Sequence, residues 1–470
     1  MTIALPTTLD RVIRDLTASG FRAVVVGGSV RDALLGLDPK DFDIEVYGIS
    51  YDLLAEFLAG RGSVDLVGKS FGVVKLSAAG ETWDFSVPRR DSKTGPGHRD
   101  FRATFDADIT PREAAGRRDF TVNAMAYDPV TGELLDFFGG QTDLRNRVLR
   151  ATSEAFSEDP LRVLRGMQFA CRFDLTIDPA TAEMSRAIAG EYSTIARERI
   201  AEEFMKWAVK STRPGRIAAY LKATGWIVHF PEIAALFDTP QDPEWHPEGD
   251  VGTHTMFVLD QAARIAQRDR LDSDARAVLL FASLAHDFAK PPTTERREKD
   301  GRMRWTSWGH EAAGGPMARG FLERIGIKSA IVDQVGPLVE NHLAHHSIGQ
   351  EITPRAVRRL AIRLAPASIT QLIRVIEADA SGRPPLEPGL PPAAARILAA
   401  AEAEAVNLRP QPPLILGRHV LPYFNDRPGV HIGEVTTAAY EAQADGAFST
   451  EDEAMQWLSA YMEAHGLARA

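Results

Sequence analysis

Two patterns of hydrophobic and polar residues follow one another along the chain, and the change between them divides it. Up to about residue 150, short β-rich runs (VVVGG, DFDIEV, VVKLSA, TWDFSV, AMAYDP, ELLDFF) alternate with two or three helical segments, which predicts an α+β or α/β head. From Ser153 onward the strand signal disappears. The segment 159–236 carries apolar residues at helical spacing with little glycine, and helices are expected to continue to about Ala380. Proline punctuation follows in SGRPPLEPGLPP, residues 381–392, and in RPQPPL, so a C-terminal unit is expected to start near residue 390. No solenoid-type repeat is evident. The expected organisation is a head at 1–150, a helical neck at 151–240, a helical body at 241–385 and a tail at 386–470.

Length and composition narrow the class. At 470 residues the chain exceeds what one core usually organises, and 44% hydrophobic with 25% charged residues is a globular composition. No apolar run approaches the roughly 18 residues that a bilayer span requires. The N-terminus MTIALPTTLDRVIRDL lacks a basic region followed by an apolar core, and Cys171 is the only cysteine, so a reducing cytoplasm is expected. A net charge of −10 argues against indiscriminate nucleic-acid binding, so an RNA partner would meet local basic patches. Candidates are Arg89, Arg90, Lys93, His98, Arg99 and Arg102, then Arg117 and Arg118, then Arg145, Arg147 and Arg150; scattered arginines can equally form a solvated face.

The densest chemistry lies in VVVGGSVRDALLGLDPKDFDIEVY, residues 24–47. On a strand, successive side chains alternate faces, so Asp41 and Asp43 on either side of Phe42 present both carboxylates to one side. Two hard oxygen ligands suit Mg²⁺, which completes its shell with waters and substrate phosphates. Gly27 and Gly28, between an apolar strand and a helical segment, let backbone amides approach a phosphate, with Arg31 reaching over it. Asp84 in TWDFSV is a candidate third carboxylate, which could orient the attacking hydroxyl or sit in a salt bridge. Further on, Asp159 and Pro160 read as a helix start, and Arg162 is a neighbour of Asp159 across the first turn. Together their carboxylate and guanidinium offer acceptors and donors to a base edge.

The Gly-Gly turn, Arg31 and the Asp41/Asp43 pair resemble the nucleotidyltransferase head of the class II tRNA nucleotidyltransferases, the CCA-adding enzymes and bacterial poly(A) polymerases. The resemblance implies a polymerase-β-like fold for the head, tRNA as partner, and CTP and ATP as substrates. It implies that the loop between Val87 and Arg118 acts in switching from CTP to ATP, and assigns Arg118 and Asp119 of RRDFTVNA to nucleotide binding. The bland alternative pairs Asp119 with an arginine and has Asn123 capping a turn. The family's Glu-Asp-x-x-Arg template motif is matched by Glu158, Asp159 and Arg162, and Arg165 matches a further nucleotide-binding arginine. Gln168 departs from it, standing where many members carry arginine, which removes a charge and a rigid donor fork.

The second half carries His254, the pair His286-Asp287, His310, His342 and Asp379. A His-Asp dyad preceded by one histidine and followed by two more and a distant aspartate suits a divalent metal or a binuclear site. This pattern resembles the HD phosphohydrolase superfamily. A bacterial subgroup of the tRNA nucleotidyltransferases carries such a domain, which implies metal-dependent phosphatase and phosphodiesterase activities; the metal's identity stays open. The rival readings are a poly(A) polymerase or A-adding enzyme, an HD phosphohydrolase with an inactive head, and a body serving only as a tRNA scaffold. The tail resembles the family's C-terminal segment, in which a short glycine-bounded helix pair would contact tRNA.

Overall fold

The computed structural model describes residues 3–39, 41–66, 72–93, 101–105, 108–299, 301–347 and 352–466, with backbone only at 89–93 and 101–105. The chain divides into two compact units, Met1–Pro231 and Glu232–Ala470.

The first unit opens with the helix Thr7–Ala18, whose buried Leu9, Val12, Ile13 and Leu16 recur at three- and four-residue spacing and so form one apolar stripe. Among the described residues, nine strands follow in the head: β1 (Arg22–Val26), β2 (Asp43–Tyr47), β3 (Ser63–Asp65), β4 (Val73–Ala78), β5 (Glu81–Ser86), β6 (Arg89–Lys93), β7 (Phe101–Phe105), β8 (Ala126–Asp128) and β9 (Glu133–Leu135). Seven of them form one sheet in the order β3-β4-β5-β2-β1-β8-β9, while β6 and β7 pair as a separate hairpin. β1 lies antiparallel to β2 and β8, and β2 runs parallel to β5. Ala23 to Val26 of β1 are buried on both faces, which explains the unbroken apolar run in a central strand. The mixed α+β head is the one expected. The loop expected to span Val87 to Arg118 contains β6, β7 and the helix Pro111–Gly116; His98 and Arg99 lie outside the described residues, as do the side chains of Arg89, Arg90, Lys93 and Arg102.

Helices build the remainder of this unit. The helix Leu161–Phe173 starts one residue later than expected: Pro160 is the residue preceding it, and Asp159 accepts a hydrogen bond from the Leu161 amide at 3.0 Å. Gly166 sits mid-helix, where a Cβ would meet the Tyr220 hydroxyl at 2.1 Å and the Phe120 ring at 2.9 Å. That hydroxyl donates to the Val163 carbonyl at 3.0 Å, pinning the helix Ile217–Ala223 against it. Gly166→Ala is therefore expected to destabilise the protein by about 1–3 kcal/mol through overpacking, although alanine is intrinsically the better helix former by about 1 kcal/mol. Thermal melting of the two proteins checks the sign.

The second unit is mostly helical, with one correction to the expectation that strands end before Ser153. Thr294–Lys299 and Arg302–Ser307 pair as an antiparallel hairpin. Its strands (TERREK, RMRWTS) are dominated by charged residues, which hid the alternation, while the Asp-Gly at 300–301 was a legible turn signal, with Gly301 at φ +70°. Two short parallel strands, Val148–Leu149 and Thr176–Ile177, also straddle the expected head boundary. The tail has its own small core, in which Ile415, Val420, Val435, Phe448, Leu458 and Met462 bring together the helices Val430–Asp445 and Glu451–Ala464. No helix among the described residues is long and apolar enough to cross a membrane.

Candidate active sites

Each unit holds one chemically dense site. In the first, Asp41 and Asp43 are exposed while the intervening Phe42 is buried, so both carboxylates face the same way, as the alternation requires. Asp43 sits opposite Val26 of β1 and Asp84 of β5, at the strand end reached from the Gly-Gly turn. Crowding by the protein raises its pKa; Arg118 opposes that shift, and Asp84 and Asp41 reinforce it. Concentrated hard oxygens that repel one another in this way fit a divalent cation. Asp84 is held by Lys75, whose ammonium lies 2.8 and 3.1 Å from its two oxygens, so the salt-bridge alternative is realised there.

Asp43 edges an open cleft of about 490 Å³ that also takes in Gly27, Gly28, Arg118, Asp159 and Arg162. Gly27 at φ +73° starts the helix Gly28–Leu34, and a Cβ on it would stand 3.0 Å from Arg118 Nη1. Glycine is required there both for the backbone and for the guanidinium. Among the described residues, nine arginines and lysines line the cleft against three aspartates. This is the local basic surface that a chain of net charge −10 needs to hold polyphosphate. By contrast, the Arg145 to Arg150 segment is no bare patch, since Arg147 meets Asp174 at 2.5 Å and Arg150 meets Asp143 and Asp178 at 3.0 and 2.6 Å.

Several of these arginines are fixed by the protein itself. Arg31 is buried, with Asp32 Oδ1 at 2.7 Å from Nη2, Asn123 Oδ1 at 2.5 Å from Nη1, and the Phe173 ring 4.3 Å below. Asp119, also buried, accepts from Arg165 Nε at 2.8 Å, from the Asn123 amide group at 3.0 Å and from the Phe120 backbone at 2.8 Å. Burial alone would raise its pKa, but Arg165 and these donors hold it below the usual carboxylate range. The pairing alternative for Asp119 is thus realised, and its removal would leave Arg165 without its anion. Asp119→Ala is expected to cost about 1.5–3 kcal/mol in folding stability, measurable by urea denaturation.

On the helix Leu161–Phe173, Arg162, Arg165 and Arg172 recur at three- and seven-residue spacing and all line the cleft. Arg162 is oriented by two carbonyls, donating from Nη1 to Ala155 at 2.6 Å and from Nη2 to Arg117 at 2.9 Å. Arg199 Nη2 stands 3.6 Å from Asp159, and Glu158 pairs with Arg117 at 3.1 Å. Gln168 also lines the cleft, with a buried Oε1 lacking a hydrogen-bond partner. Arg172, Arg199, Lys206 and Lys210 were not singled out from sequence; the four-residue spacing of the two lysines on the helix Arg197–Lys210 was the available signal.

In the second unit, four histidines and two aspartates from five segments meet in one buried region. Asp250 caps the helix Val251–Arg268, accepting from Thr253 N at 2.7 Å, which sets His254 on its first turn. The apolar helix Ser273–Ala285 delivers His286 and Asp287 at its end, His310 opens the helix His310–Arg324, His342 follows Ser329–Glu340, and Asp379 lies on Ile369–Ser381. His254 Nε2 lies 3.1 Å from Asp379 Oδ1 and 3.4 Å from His286 Nε2; His310 Nε2 lies 3.3 Å from His342 Nε2 and 3.5 Å from Asp287 Oδ1. Three of these rings have their other nitrogen at a backbone carbonyl: His286 Nδ1 at Ser283, 2.8 Å, His310 Nδ1 at Ser307, 2.6 Å, and His342 Nδ1 at Val339, 2.6 Å. Donation from Nδ1 leaves Nε2 as a lone pair turned inward, the arrangement of metal-bound histidine.

Electrostatics agree with that reading. Asp287 is fully buried and neither of its oxygens accepts a well-directed hydrogen bond, although Lys290 lies 2.8 Å away. Burial would raise its carboxyl, but His286, Lys290 and His310 hold it well below the usual range. His342 is pushed down to about 3 by burial, with His286 adding to the shift, so it remains a neutral ligand. A buried carboxylate among converging imidazoles fits divalent cations, and the candidate ligand atoms form the groups His254/His286/Asp379 and Asp287/His310/His342, with His246/Glu248/His254 beside them. A cavity of about 470 Å³ opens onto this region, and Lys290, Arg383 and Trp308 also line it.

Comparison with known proteins places both units. The Poly A polymerase head domain family matches residues 23–150, and the HD domain family matches residues 251–401. A multifunctional CCA protein of Nitrosococcus oceani is 35% identical over 396 residues, covering 82% of this chain and 91% of that protein. One from Ralstonia nicotianae is 35% identical over 405 residues, covering 84% and 89%. In fold, the chain is similar to the Bacillus stearothermophilus CCA-adding enzyme in complex with CTP, with a TM-score of 0.64, 20% identity and coverage of 98% and 99%. It is also similar to the Thermotoga maritima CCA-adding enzyme complexed with tRNA, with a TM-score of 0.55, 19% identity and coverage of 98% and 97%.

Proposed function

The chain belongs to the family of multifunctional CCA proteins, and we propose that its head adds two cytidylates and one adenylate to the 3′ end of tRNA from CTP and ATP, without a nucleic-acid template. The observation that carries this reading is Asp43, with Asp41 near it, at the edge of a cationic cleft that also takes in Asp159 and Arg162.

Asp41 and Asp43 would hold Mg²⁺, with Asp84 beside them. When bound, that ion supplies neutralisation of the triphosphate and a lowered pKa for the tRNA 3′-hydroxyl. Gly28 offers backbone amides at the start of its helix to the phosphates. Arg118 faces the same cleft and grips the triphosphate, which charge-assisted hydrogen bonds hold in line with the incoming hydroxyl. Asp119, in the cleft wall, fixes Arg165 and Asn123, and Asn123 in turn binds Arg31. Cytosine and adenine share an exocyclic amino donor beside a ring-nitrogen acceptor. Asp159 accepts from the amino group and Arg162 donates to the ring nitrogen, so one fixed pair of side chains reads both bases. Glu158 holds Arg117, whose carbonyl orients Arg162.

The converging imidazoles of the body support a second activity, hydrolysis of phosphate esters. His254, His286, Asp287, His310, His342 and Asp379 would hold one or two divalent cations, whose chemistry when bound is to make water nucleophilic near neutral pH. Lys290 and Arg383 line the cavity and would attract a phosphate dianion.

The test supplies Mg²⁺ with labelled CTP or ATP to tRNA ending before CCA, after the first C, and after CC. Two C additions followed by one A support the reading. Addition of A alone would assign the protein to the A-adding or poly(A) enzymes, and no addition would leave the body as the working part.

A further inference from the structure

One imidazole at the body centre is oriented differently from the others. His286, His310 and His342 each turn Nδ1 to the backbone carbonyl three residues earlier, whereas His254 Nδ1 lies 2.7 Å from a carboxylate, Glu248 Oε1. The Glu248 side chain is fully buried, its Oε1 also lies 2.9 Å from His246 Nδ1, its Oε2 has no hydrogen-bond partner, and the His254 Nδ1 contact is a close ion-pair approach without well-directed hydrogen-bond geometry. A buried charge is costly unless it acts on a neighbouring charge. Nothing in the spacing of EGDVGTH marks Glu248 as part of a site; only the folded turn between Glu248 and His254 brings it behind the ring.

We propose that Glu248 is a positioning residue of the body centre. Its carboxylate fixes the His254 ring so that Nε2 faces His286 and Asp379, and it places a negative charge behind the imidazole that strengthens its hold on a divalent cation. His246 braces the carboxylate from its other side, its ring 4.8 Å from that of His254 in an edge-on arrangement. The inference rests on the body's being a metal centre. It goes further by making one remote carboxylate set the affinity of that centre, a role that backbone carbonyls play for the other three rings.

The experiment is calorimetric titration of Ni²⁺ into the metal-stripped full-length protein, its Glu248→Ala and Glu248→Gln variants, and His254→Ala. Affinity is expected to fall about a hundredfold in Glu248→Ala with the stoichiometry unchanged, and about tenfold in Glu248→Gln, where an amide oxygen still stands beside the ring but the charge is gone. Recovery in the glutamine variant relative to alanine separates positioning from packing. Wild-type affinity in Glu248→Gln overturns the inference, and this arm stands even if Glu248→Ala does not fold. Loss of one full equivalent of Ni²⁺ in Glu248→Ala, matching His254→Ala, overturns it by making Glu248 a ligand. If the wild-type protein binds no Ni²⁺, Mn²⁺ or Co²⁺, the metal reading of the body fails, and the inference with it.

Discussion

Asp43→Ala is expected to reduce CTP and ATP incorporation into tRNA by about 10³-fold or more, with little change in folding stability. The size follows from what the residue is asked to do. Attack by a ribose hydroxyl on a triphosphate gathers negative charge at one point, and electrostatic stabilisation by positioned groups is usually the largest single contribution to such a reaction. Asp43 is the one carboxylate that both lines the cleft and pairs in register with the buried strand β1 and with Asp84 of β5. No exposed loop could hold it as firmly. The residue is exposed, and removing a carboxylate crowded by its neighbours costs the fold little, so the expected stability change stays within about 0.5 kcal/mol. Initial rates on tRNA ending in CC, together with a thermal melt, separate the two effects. A variant that still adds A at near wild-type rate would remove Asp43 from the reaction.

Asp287→Ala is expected to abolish phosphate-ester hydrolysis by the body and to weaken its binding of divalent cations, while CTP and ATP incorporation persists. Asp287 approaches His286, His310 and His342 at 3.1, 3.5 and 4.0 Å, so it is the carboxylate around which the imidazoles gather. Its two oxygens have no well-directed hydrogen bond to replace a cation. Without it, Lys290 would lose its 2.8 Å partner and leave its positive charge uncompensated beside the imidazoles, further disfavouring a bound cation. Hydrolysis of a generic phosphomonoester with added Ni²⁺ or Mn²⁺, run beside the incorporation assay, checks both halves. Chelation of the wild-type protein is expected to suppress hydrolysis until metal is restored. Parallel loss of both activities in Asp287→Ala would mean that the substitution damages the fold rather than the body centre.

Much of the head and body chemistry is legible in the amino-acid sequence alone, for physical reasons specific to each element. Asp41 lies two residues before Asp43, the first residue of β2, and this segment alternates exposed and buried residues, so its face can be read by counting. The gathering of His254, His286, Asp287, His310, His342 and Asp379 follows from residue chemistry, although residues more than a hundred positions apart meet only through helix packing. The hairpin Thr294–Lys299 and Arg302–Ser307 escapes a sequence reading because its first strand is charged on both faces and only Met303 and Trp305 alternate in the second, too short an apolar period to stand out. Glu248 escapes it because a lone glutamate beside a loop has no sequence signature. Asp119 shows the opposite case: its motif is conspicuous, but in the cleft wall its contacts with Arg165 and Asn123 make it a support.

The measurement closest to the central claim is the sequence of the 3′ ends formed when tRNA lacking CCA is incubated with the purified protein, Mg²⁺, CTP and ATP together. The account expects CCA and then termination, since Asp159 and Arg162 accept both bases in a cleft of about 490 Å³. A run of adenylates, or ends left unextended while Asp41 and Asp43 are intact, would contradict it.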